Sequence, residues 1–164
     1  MSMIANHCYR PRLNGFSLIE VMVSLFILAG GMLGMAALQN QVIKNNHAAF
    51  TESQAIFLIN DMAERIRANR GNDAYVIDYP EPTVNPGTNC STSQCSSNQM
   101  VAWDLYQWRT KVEDSHVLPQ GQSQIIYDSL ARTFTISIRF DWTHLGGVDL
   151  TNDGMRTVTM TTRI

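Results

Sequence analysis

Three kinds of residue in this chain could do chemistry: one carboxylate in an apolar run, a close pair of cysteines, and four scattered histidines. Glu20 is the carboxylate, and it is the only charge between Gly15 and Ile43. A charge at mid-bilayer costs on the order of 3 kcal/mol even on lenient insertion scales, so an acid here needs a reason. Near a helix start the cost softens, because the helix dipole favours an acid in the first turn. A sharper reason needs a cation. Cleavage between Gly15 and Phe16 would supply one, a new α-amine with an ordinary pKa of about 8. Glu20 lies four residues on from Phe16 and so shares its helix face. A carboxylate and an amine on neighbouring helices could then neutralise each other in an apolar bundle.

Cys90 and Cys95 sit together in "NCSTSQCSSN", while Cys8 lies ahead of the apolar run. Removal of the first residues would leave an even pair, which fits an exported protein with one local disulfide. In a cytosolic protein the same two thiols would stay reduced. A Cys90–Cys95 bond would contribute about 2 kcal/mol in the chain-entropy model. Zinc fits poorly, since two thiols with no nearby histidine pair fall short of a tetrahedral set. His7, His47, His116 and His144 show no metal spacing, and neither a nucleophile elbow nor a phosphate loop occurs. No catalytic residue, metal site or cofactor is therefore expected. "DLTNDG", from Asp149 to Gly154, matches a calcium loop only in part. Thr151 stands where an acid or Asn belongs, and Met160 takes the place of the final Glu. It reads better as a polar hairpin loop turning at Asp153 and Gly154.

These groups need elements to hold them. Val21 to Ile43 carries no charge and would extend roughly 35 Å as a helix, enough for a bilayer core of about 30 Å. Arg10 and Arg12 precede it and Lys44 follows, which holds the N-terminus in the cytoplasm and sends the rest across. A secretory signal cut near Ala37, in "AGGMLGMAA", is the other targeting reading; a lipoprotein signal fails because Cys8 precedes the apolar run. Gly30, Gly31 and Gly34 interrupt the stretch. Gly30 and Gly34 make a small-xxx-small pair, read either as ordinary membrane glycine or as a soft spot in the helix. The formal net charge is −2 and there is no basic stripe, so no nucleic-acid partner is expected.

With no proline between Phe16 and Tyr79, one helix can run to about Asn69. Ile56, Ile59, Ala63 and Ile66 recur at helical spacing, with Phe50 and Phe57 seven apart, so this half should lie against a sheet. Gly71 is a plausible stop. Residues 72–99 read as loop, with a short strand expected over Tyr75 to Tyr79. A second helix follows: Val101, Leu105, Trp108 and Val112 share a face, with Trp103 near its edge, and Ser96 with Gln99 forms a capping box. Then the period becomes two. Phe134, Ile136, Ile138, Phe140 and Trp142 alternate with polar residues as a half-buried strand. Gln124 to Tyr127 is its expected hairpin partner, and the last segment, with Val158, Met160 and Ile164 on one face, completes an antiparallel sheet.

The run "GFSLIEVMVSLFILAGGMLG", with Arg10 and Arg12 ahead of it, resembles the N-terminal signature of type IV prepilins and pseudopilins. That resemblance implies that residues 1–15 are a cytoplasmic leader, cut by prepilin peptidase between Gly15 and Phe16, with Phe16 then N-methylated and Glu20 used in filament assembly. It implies a transmembrane and assembly helix over 16–43 and a periplasmic α+β globular domain over 44–164, with the long helix packed on a small antiparallel sheet. The order of the two cysteines, "MVAWDLYQW", "FTISIRFDW" and "RTVTMTTRI" further resembles minor pilins of the PilV type. This implies a non-enzymatic role in priming the type IV pilus from the inner membrane, at its tip or along it. Implied partners are other minor pilins, the major pilin, the inner-membrane assembly platform and a large tip-associated protein. A minor pseudopilin of type II secretion and a pilus-associated adhesin are the alternatives.

Overall fold

The computed structural model describes residues 15–79, 81–143 and 154–163. Arg10, Arg12, Cys8, His7, His144, most of the loop from Asp149, and Ile164 lie outside these. The element order is α1 (Leu18–Ala68), α2 (Ser97–Val112), β1 (Gln122–Asp128), β2 (Thr133–Asp141) and β3 (Met155–Arg163). This is an α+β architecture, a long helix with a three-stranded antiparallel sheet in the order β1-β2-β3.

α1 runs for 51 residues, unbroken by Gly30, Gly31 or Gly34. Its charges suit its dipole: Glu20 in the first turn, Arg65 and Arg67 in the last. Gly71 follows at φ 86°, a left-handed conformation that only glycine adopts without strain. The chain divides into two units, one ending at Gln41 and one beginning at Val42. In the first, every described residue is exposed. The second holds the core.

There α1 buries Ala48, Thr51, Ala55, Leu58, Ile59, Met62, Ala63 and Ile66, a stripe with steps of three and four. Phe50 (61% exposed), Ile56 (47%) and Phe57 (64%) are not part of it. At 3.6 residues per turn the two phenylalanines fall on the side of α1 away from Ala55, so the expected apolar stripe is shifted round the axis. Facing it in one cluster are Val101, Trp108 and Val112 of α2, Ile125 of β1, and Phe134, Ile136, Ile138 and Phe140 of β2. Leu105 and Trp142 pack at its margin.

Local chemistry places these pieces. The Ser96 amide donates to Gln99 Oε1 at 2.9 Å and the Gln99 amide to Ser96 Oγ at 3.4 Å, the reciprocal cap expected for α2. After α2 the chain doubles back at Gly121, where a Cβ would lie 1.9 Å from the Val112 carbonyl oxygen, so no side chain fits. β1 and β2 pair from Gln122↔Arg139 to Asp128↔Thr133. The segment Tyr75 to Tyr79 forms no strand. It makes one antiparallel bridge, Ile77↔Ile125, and Tyr75 is spent on a side-chain network described below.

Candidate assembly helix and its supports

Gly15, Phe16 and Ser17 precede α1 and are exposed, with Phe16 at 85%. The Ser17 carbonyl accepts from the amides of Glu20 (3.0 Å) and Val21 (3.3 Å). Ser17 is therefore the N-cap position and Glu20 the third helical residue, where the unpaired amides of the first turn favour a negative charge. The Gly15–Phe16 bond lies outside the helix. The sequence-derived residues Gly15, Phe16 and Glu20 thus sit together at one helix start, all exposed. From Leu18 to Ile43 the apolar side chains stand bare, Phe26 at 75% exposure for example. An uncovered apolar surface of this kind belongs against lipid or against other helices. Among the described residues, α1 is also the only helix long and apolar enough to cross a membrane.

In the second unit α1 is clamped to α2. The buried Trp108 indole donates to the Leu58 carbonyl at 2.7 Å. Arg65 reaches Asp104 Oδ1 at 2.8 Å and Asp61 at 3.2 Å. The Tyr75 hydroxyl donates to the other Asp104 oxygen at 2.8 Å. Burial opposes the Arg65 charge, but Asp104 and Asp61 outweigh it and raise its pKa. Burial also raises the Tyr75 pKa; Asn69 works against this and Asp104 adds to it. Sequence reading missed this network because its members are 39 and 29 residues apart and no local pattern joins them. β3 is tied to α1 as well: Arg156 reaches Glu52 at 2.9 Å, and Arg67, paired with Glu64, donates to Thr162 at 2.7 Å.

Cys90 and Cys95 are joined in a disulfide. Cys95 directly precedes the Ser96 cap, so the bridge restrains the chain where it enters α2. Among the described residues no group of three or more His, Cys, Asp or Glu is placed to hold a metal. His47 and His116 instead border a shallow cleft with Ile43 and Phe50.

Two family models match the chain. The prokaryotic N-terminal methylation motif covers residues 10–36, and the model described as type IV pilin Tt1218 covers residues 37–106. Pilins of that kind are structural proteins rather than enzymes. No curated protein and no solved structure matches the chain. The methylation motif over the start of α1, the pilin match that follows it, and a long helix packed with a small antiparallel sheet together support a type IV pilin.

Proposed function

We propose that the protein is a minor pilin that takes part in priming and assembling a type IV pilus. What supports this is the first half of α1: an apolar surface left bare along its length, with Glu20 as its only charge, placed in the first helical turn. In this reading residues 1–15 are a leader cut by prepilin peptidase and Phe16 becomes the methylated N-terminus. Residues 16–43 anchor the subunit in the inner membrane with its N-terminus cytoplasmic, and then enter the filament. Residues 44–164 form the periplasmic domain. The Glu20 carboxylate docks against the amine of a neighbouring subunit, where leaving water would otherwise cost a lone charge several kcal/mol. Its neighbours are other minor pilins, the major pilin, the assembly platform and a large tip-associated protein.

Mass spectrometry of the mature N-terminus tests the processing. Methylated Phe16 is the expected product, and an intact Met1 or a cut near Ala37 overturns it. Deleting the chain and counting surface pili tests the role. Loss of fibres, restored by the natural protein and not by Glu20→Ala, is expected. Normal fibres with a secretion defect would assign the protein to a pseudopilus instead.

A further inference from the structure

Where its apolar run ends, α1 carries a second stripe that the core does not take up. Ile43, Asn46, His47 and Phe50 recur at steps of three and four, so they share one face of the helix. That face is open, with Ile43 56% and Phe50 61% exposed. It makes one wall of the shallow cleft bordered by the two histidines. His116, Val117 and Pro119, from the segment between α2 and β1, make the other. This second wall is fixed. The Val117 and Leu118 amides both donate to the Asp114 carbonyl at 2.9 Å, and the Pro119 carbonyl accepts from the Asp141 amide at 2.8 Å. Leu118, between Val117 and Pro119, is buried in the core.

Two chemistries stand side by side in the cleft. Ile43, Phe50, Val117 and Pro119 give it apolar surface, while Asn46, His47 and His116 bring an amide and two imidazoles, all with N–H donors. Thr51 lines it too, but its hydroxyl donates to the His47 carbonyl at 3.1 Å. None of the described lining residues is acidic, and Lys44 lies three residues before His47 on α1. The neighbouring acids are engaged: Asp114 accepts from the His116 amide at 2.9 Å, and Glu52 pairs with Arg156. The volume, about 470 Å³, is that of a small-molecule site. Apolar walls with several donors and no carboxylate suit a molecule that is anionic at one end and hydrocarbon at the other.

Position along the helix says which molecule. Ile43 is both a wall of the cleft and the last residue of the uncharged run 21–43. From Ile43 to Phe50 the helix rises about 10 Å, and the headgroup layer beyond a bilayer's hydrocarbon core is about 5–7 Å deep on each side. We propose that the cleft seats the headgroup of an anionic phospholipid at the surface of the membrane in which α1 is anchored. The phosphate accepts from Asn46, His47 and His116, and the hydrocarbon end lies along Ile43. The inference rests on the membrane anchoring proposed above.

The test uses the full chain in micelles of a neutral detergent, titrated with phosphatidylglycerol and followed by nuclear magnetic resonance. The ring signals of His47 and His116 and the Val117 amide should shift saturably, while Leu130, at the hairpin between β1 and β2, stays still. Replacing both histidines by alanine should weaken binding by about 10-fold, read at Val117, since hydrogen bonds to a charged group are lost. Glutamine at both positions keeps a donor and should restore most of it. Both histidines are exposed, so the near-ultraviolet signal of Trp108 should be unchanged in either variant. Unshifted histidines, equal affinity of the alanine variant, or the same shifts from inorganic phosphate without lipid overturn the proposal. So do shifts that follow protein concentration in the absence of lipid, which would give the cleft to a second copy. Failure of the anchoring reading looks different: the full chain would then stay dissolved without detergent.

Discussion

Asp104 is a buried carboxylate that faces an arginine with one oxygen and a phenol with the other. Its partners are held in the protonation states that suit it, Arg65 charged and Tyr75 neutral, and both pKa values are raised. The sign follows for Tyr75. Folding favours the protonated phenol, so its contribution is fully present below the unfolded value of 10.0 and is lost as pH rises above it. Stability should be flat with respect to this group through neutral pH, then fall by up to about 1.4 kcal/mol per pH unit above ~10. Tyr79, also raised by burial, acts in the same direction. Urea titrations from pH 8 to 11 should therefore show a shallower decline in Tyr75→Phe than in the natural protein, and equal slopes would show that the phenol is not the group responsible.

Among the elements, α1 and α2 were legible for physical reasons that act locally. A chain without proline, with an acid at one end and arginines at the other, runs as one helix; Ser96 and Gln99 cap their own helix three residues apart. β2 was legible because strict alternation leaves one face for the core. The stripe on α1 was legible only in part. Phe50, Ile56 and Phe57 are as apolar as Leu58 and Met62, and hydrophobicity alone does not say which side meets the sheet. That choice was made by α2 and β2, through Trp108 reaching Leu58 and through the Asp104 network. The segment at Tyr75 failed as a strand for the same reason, since its tyrosine is committed to Asp104. The disulfide is the remaining local device. It spans a sequence separation of 5, so replacing both Cys90 and Cys95 by serine should lower stability by about 2 kcal/mol in denaturant titrations and leave the fold intact. A loss of the whole fold would show that the bridge does more than restrain the entry to α2.

At the scale of the molecule, the buried core draws every member from the second unit, Ala55 onward, while the first unit contributes only exposed apolar surface. Residues 42–164 expressed alone should be soluble in water and melt cooperatively, with the buried Trp108 reporting native packing by near-ultraviolet circular dichroism. The full chain should need detergent or lipid. A truncated chain without cooperative melting would mean that the first half of α1 supports the core.

The ties between Arg156 and Glu52 and between Arg67 and Thr162 span 104 and 95 residues. They join β3 to α1, a helix synthesised well before it. A ribosome that still holds β3 therefore withholds one of the three strands of the sheet, and contacts this distant in sequence form slowly in any case. The domain reaches its finished shape only after β3 has emerged, which sets the earliest moment at which its core is complete.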